Sequence, residues 1–99
     1  MSNRIAAKLL AEFIGTFALI FIGAGAAAVV GGGAGLNGIT AVAFAHGLTL
    51  MIFIYAYGSI SGGHMNPAVT VGVLAAGAIT AAEAAGYIVS QIAGGVAAE

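Results

Sequence analysis

No cysteine occurs anywhere in the 99 residues. That excludes a disulfide framework, a thiolate metal site and a thiol nucleophile. Charge is nearly as scarce, with two basic and three acidic side chains and a net charge of −1. Two cationic groups give no electrostatic basis for a nucleic-acid partner. What charge there is lies near the ends, for residues 13 to 82 contain no Asp, Glu, Lys or Arg. The chain also lacks paired carboxylates, a metal-spaced cluster of His, Cys and Asp, and a Gly-rich phosphate loop, so no enzyme, metal or cofactor is expected. Ser59 and Ser61 lie near His64, but loop neighbours without an orienting acid do not make a nucleophile and base.

What is present is apolar: 62% of the residues are hydrophobic and the mean hydropathy is +1.15. A soluble domain of this size needs a polar outer face that this composition cannot supply. The uncharged stretch is stable only in lipid, as two or more spanning helices. Residues 6–30 predict the first. Arg4 and Lys8 followed by an apolar run and "GAGAAA" also resemble a secretory signal, but the run is long enough to span and Glu12 fits a signal core poorly, so a retained helix is expected. Residues 31–38, "GGGAGLNG", form an uncharged connection, and residues 39–57 predict a second span. A loop over residues 58–65 precedes a short helix at residues 67–76, about 15 Å long against a hydrocarbon core of ~30 Å. After a turn at residues 77–80, a third span occupies residues 82–99 and is incomplete: from Ala84 to its end it covers only about 22 Å.

Both cationic residues stand at the start of the first helix, which places the N-terminus in the cytoplasm. In the third span Gly86, Ser90, Gly94 and Ala98 make a four-residue ladder of small side chains. Such ladders let helix backbones approach closely in lipid, which predicts a packed bundle.

The stretch "SGGHMNPAVT", residues 61–70, raises the central question. Asn66 suits an N-cap and Pro67 the first helical position, yet the helix they open is too short to span. Non-helical backbone at membrane depth survives only when buried in protein or facing a water-filled cavity. Gly62 and Gly63 permit a left-handed backbone whose carbonyls can line such a cavity. If the Asn66 oxygen caps the helix, its amide hydrogens remain as donors. The positive pole of the short helix, near Asn66, then repels cations while admitting neutral dipolar solutes.

This stretch resembles the first Asn-Pro-Ala loop of the aquaporin family, the major intrinsic proteins. "AEFIGTF" at residues 11–17 is similar to that family's first-helix signature, and "AHGLT" and "GYIVSQIAGG" sit where its second and third helices place similar residues. The resemblance covers nearly the whole chain. It implies an all-α membrane protein: an aquaporin-like half of three transmembrane helices and one re-entrant half-helix, the third helix truncated. It implies a passive channel for water and small neutral solutes such as ammonia or glycerol. By that likeness Asn66, Pro67 and Ala68 form the pore-centre motif, and Gly62, Gly63, His64 and Met65 supply the pore-lining carbonyls. Glu12 is the buried carboxylate that holds the loop amides, its alternative being a local pair with Lys8. Gln91 is a glutamine that braces the opposite loop, or else interhelical glue.

His46 falls at the family's narrow outer filter, where water-selective bacterial members carry Phe and glycerol facilitators Trp. An imidazole there implies a wider, more polar constriction; the alternative is a helix-interface histidine bonded to a neighbour. The family builds its fold from two inverted halves, and this chain holds one Asn-Pro-Ala and no filter arginine. The resemblance therefore implies a missing C-terminal half, a homotetramer of complete channels, and a place in the plasma (inner) membrane in contact with the lipid bilayer. Two other readings stand beside it. One is a half-size protein pairing as an inverted homodimer, against which the one-sided charge argues. The other is an ion-coupled transporter fragment, for which Glu12 lies too near the helix start.

Overall fold

The computed structural model describes residues 3–31 and 35–99. Among them the chain is wholly helical, with four helices in the order α1 (Asn3–Val30), α2 (Gly35–Ser61), α3 (Pro67–Ala75) and α4 (Ala81–Ala98). Two of them, over Arg4–Val30 and Gly35–Ser61, are long and apolar enough to cross a membrane. At 27 residues each, they extend about 40 Å, more than a ~30 Å core requires. Part of the connection expected over residues 31–38, namely residues 32–34, lies outside the described residues.

α1 is the central element, packed against α2 on one side and α4 on the other, while α3 lies against α4. The α1–α4 contact is close because glycine permits it. A Cβ at Gly94 would collide with the Phe13 carbonyl oxygen, and one at Gly86 would stand 3.1 Å from Leu9 Cδ2. Two rungs of the small-residue ladder thus meet α1. Beside them, the buried face of α4 consists of Ala84, Tyr87, Gln91 and Gly94. Lys8 and Glu83 join the same two helices at one end, with Nζ 3.2 Å from Oε2.

The outward faces carry Leu36, Phe44, Ile52, Tyr55 and Val29, all well exposed. A patch of that extent is unsuited to water and natural in hydrocarbon or against further protein. The polar groups instead lie inside: Glu12, Thr70 and Gln91 are each at most 1% exposed. This inversion is the arrangement of an integral membrane protein.

Several boundaries depart from the sequence reading. α2 continues through Gly58 and Ser59 to Ser61 instead of ending at residue 57. The helical ladder needs no particular side chain, and it persists to the bond from Gly62 N to Gly58 O at 2.9 Å. What ends it is the pair Gly62 and Gly63, with φ of 89° and 67°, a backbone that leaves the right-handed helix. α2 also begins at Gly35, four residues before the expected start. α1 begins at Asn3 and α4 at Ala81, the latter because Thr80 and Glu83 form a reciprocal capping box that satisfies two free amides. α3 ends on a Schellman turn: Gly77 N bonds Leu74 O and Ala78 N bonds Val73 O, with Gly77 at φ 79°.

Candidate functional site

The site is built around one carboxylate. Glu12 projects from α1 and is fully buried. Its Oε2 accepts from Ser61 Oγ at 2.7 Å and from the His64 N–H at 3.2 Å. Its Oε1 accepts from the Met65 N–H at 2.8 Å and from Gln91 Nε2 at 2.6 Å. A carboxylate offers about four lone-pair sites, and here four donors fill them. Lys8 is engaged elsewhere, with Glu83, so the local Lys8–Glu12 pair weighed from sequence is not formed.

These bonds dictate where the loop carbonyls point. In a trans peptide the N–H of one residue and the C=O of the preceding residue face opposite ways, and no cis bond is found among the described residues. The amides of His64 and Met65 turn toward Glu12, and the Gly63 amide toward Ser61 Oγ at 3.2 Å. The carbonyls of Gly62, Gly63 and His64 therefore face away from the α1 side. Three of the four carbonyls singled out in the sequence are oriented by this argument; the Met65 carbonyl shares its peptide unit with Asn66 N, for which no such bond applies.

Met65 adopts φ 54°, a left-handed conformation uncommon for a residue with a Cβ and costing on the order of 1–3 kcal/mol. Two contacts hold it there. Its N–H is fixed to Glu12, and its side chain, 3% exposed, fills the notch at Gly15, where a Cβ would stand 2.7 Å from Met65 Sδ. The loop also closes the end of α2, because Tyr87 Oη donates to the Ser61 carbonyl at 2.7 Å. That satisfies one of the carbonyls a helix end leaves open.

Asn66 caps α3. Its Oδ1 accepts from Ala68 N at 2.8 Å, which leaves the side-chain NH2 without a partner among the described residues, and the residue is exposed. Pro67 occupies the first helical position and Ala68 the second. One turn on, Thr70 is fully buried. Its hydroxyl lies 2.9 Å from His64 Nδ1 and accepts from Gln91 Nε2 at 2.9 Å. The His64 ring rests against Tyr87 with centroids 4.9 Å apart. Glu12, Gln91, Thr70 and His64 thus form one hydrogen-bonded chain linking α1, α4, α3 and the loop.

His46 stands apart from this cluster. Its Nδ1 is 2.8 Å from the Val42 carbonyl oxygen, and its ring occupies the space a Cβ at Gly23 would need. It is half-buried in the α1–α2 seam. Ser61, Thr70 and Tyr87 were not marked as site residues by sequence reading. A signal existed for Tyr87, which lies four residues before Gln91 on the same face of α4. Thr70 had a weaker one, four residues after Asn66. Among the described residues no cluster of His, Cys, Asp and Glu is suited to a metal ion.

A buried carboxylate on one helix holds an irregular loop whose carbonyls face the other way, and a short capped helix follows, all within an apolar shell. Irregular backbone so held by protein is the form that non-helical chain takes at membrane depth. The profile of the Major intrinsic protein family matches residues 1–99, and the chain belongs to that family. An "Aquaporin Z" of Photorhabdus laumondii is 48% identical over 90 residues, covering 90% of this chain and 39% of that protein. A "Glycerol uptake facilitator protein-like 6" of Lactiplantibacillus plantarum is 45% identical over 91 residues, 92% of this chain and 40% of its own. An "Aquaporin Z" of Brucella melitensis is 47% identical over 92 residues, again 92% and 40%. The chain thus spans about two fifths of the length of these relatives.

Proposed function

We propose that this chain forms the first half of a passive channel for water and small neutral solutes. The observation that carries the reading is the Glu12 anchor. On that buried carboxylate the His64 and Met65 amides turn the Gly63 and His64 carbonyls outward, and Ser61, itself bonded to Glu12, takes the Gly63 amide and so turns the Gly62 carbonyl the same way, giving a row of acceptors. A polar molecule passing through hydrocarbon depth needs such a row in place of its water shell. At the end of the row the Asn66 NH2 supplies the opposite polarity, a donor pair with no partner among the described residues, beside the positive pole of α3.

In this reading α3 is re-entrant. Nine residues extend only about 14 Å, so Asn66 sits near the middle of the bilayer. The N-terminus is cytoplasmic, as the placement of Arg4 and Lys8 favours. The exposed apolar faces of α2 and α3 are covered by the remaining half of a complete channel and by lipid. Complete channels assemble as homotetramers in the plasma membrane. His46 borders the outer constriction. The relatives' names divide between water and glycerol, and a polar, medium-sized group at that point favours passage of both.

Stopped-flow light scattering of liposomes holding the complete channel tests this. Under an osmotic step, shrinkage faster than that of protein-free vesicles is expected, and equal rates would defeat the proposal. The 99-residue chain alone is expected not to conduct; flow through it would favour the inverted-homodimer reading instead.

A further inference from the structure

The hydrogen bonds of the two imidazoles fix where their protons lie, and they do so in opposite senses. His46 Nδ1 faces the Val42 carbonyl oxygen at 2.8 Å. A carbonyl only accepts, so His46 carries its proton on Nδ1 and leaves Nε2 bare. His64 Nδ1 faces the Thr70 hydroxyl at 2.9 Å, a group able to donate or accept, so its assignment follows from the chain of bonds behind it.

That chain begins at Glu12. Because Glu12 Oε1 is an acceptor, the Gln91 atom 2.6 Å from it is the amide nitrogen. The same nitrogen lies 2.9 Å from Thr70 Oγ1, so Thr70 accepts there. The one hydroxyl proton of Thr70 then has two destinations. The Asn66 carbonyl oxygen is 3.4 Å away, beyond the usual 2.5–3.0 Å for O–H···O bonds. His64 Nδ1 is at 2.9 Å. The proton goes to His64.

We infer that Thr70 holds His64 as the Nε2–H tautomer, the reverse of His46, and so makes its imidazole a fixed donor beside the loop carbonyls. Nε2 lies 3.2 Å from where a Cβ of Gly62 would stand, next to the first residue of the irregular segment, and no described group bonds it. Resting on the channel reading, this gives the passage a second side-chain donor besides Asn66. Thr70 is a positioning residue: it touches no solute and acts through His64.

Solid-state NMR of the complete protein in lipid, labelled with 15N-histidine and assigned by difference against His46→Phe, reads this directly. His64 is expected to show an unprotonated Nδ1 and a protonated Nε2, and His46 the opposite. In Thr70→Val the His64 Nδ1 signal shifts downfield on losing its donor, and Thr70→Ser restores it. A protonated Nδ1 at His64 overturns the inference, as does a Thr70→Val spectrum identical to the unsubstituted one. Should Thr70→Val fail to fold, the unsubstituted spectrum decides alone. Magnetisation transfer from water to His64 Nε2–H is expected as well. Its absence with the tautomer intact removes the donor from the passage while leaving the assignment standing. None of these signals depends on conduction, so they separate this inference from the channel proposal.

Discussion

The Met65 amide donates to Glu12 Oε1 at 2.8 Å across 53 positions of sequence, and this bond joins the fold to the proposed function. It keeps a non-glycine residue in a left-handed conformation and turns the His64 carbonyl of the same peptide unit to the opposite side. The carbonyl row therefore exists only while the carboxylate holds its donors.

Glu12→Gln preserves shape and removes one acceptor. Whichever way the new amide turns, its NH2 meets a backbone N–H, of Met65 or of His64, that cannot accept, and a donor left unpaired in the interior costs about 1–3 kcal/mol. A lower melting temperature in detergent and a large loss of osmotic water permeability are expected. Unchanged values of both would show that the carboxylate does not hold the loop.

Asn66 separates capping from donation. Asn66→Ala removes the Oδ1 acceptor and costs about 0.5–2 kcal/mol of stability. Asn66→Asp retains an acceptor for Ala68 N yet eliminates both amide hydrogens. The Asp variant is expected to fold better than the Ala variant in thermal unfolding while still losing water flow. An Asp variant that conducts normally would remove the amide from the mechanism.

Two glycines test the packing. A Cβ at Gly94 strikes the Phe13 carbonyl oxygen, whereas one at Gly25 meets nothing within 4 Å. Gly94→Ala is expected to force α1 and α4 apart and lower the melting temperature clearly. Gly25→Ala, in a helix interior, is expected to be neutral or stabilising by up to about 1 kcal/mol. Equal effects would contradict the close helix contact.

His46→Phe replaces a polar ring by an apolar, larger one. Slower glycerol uptake with water permeability retained is expected in proteoliposomes. An unchanged solute profile would confine His46 to its contact with Gly23.

Much of this was legible because some signals are local. The uncharged run announces the lipid environment, and Asn66-Pro67 announces a helix start. Glu12 is conspicuous as an isolated carboxylate in an apolar run. Its four donors were not readable from composition or periodicity, since they come from residues 49 to 79 positions away. Ser61 looks like an ordinary small polar residue until tertiary structure brings it to that carboxylate, and so does Thr70 until it meets His64 and Gln91. The end of α2 was misjudged because Gly58 reads as a breaker, yet a helix tolerates one glycine and stops only where two successive residues adopt positive φ. His46 shows the same limit: its seat depends on the empty space at Gly23, a residue of another helix.

The absence of cysteine from the chain makes one measurement especially direct. In a complete channel whose only cysteine is introduced by Ala68→Cys, on the exposed first turn of α3, water flow is followed before and after a thiol-reactive mercurial. Fast flow, blocked by the reagent and restored by excess thiol, is the expected result. Fast flow untouched by a reagent that demonstrably labels the thiol would contradict the placement of this half-helix beside the passage.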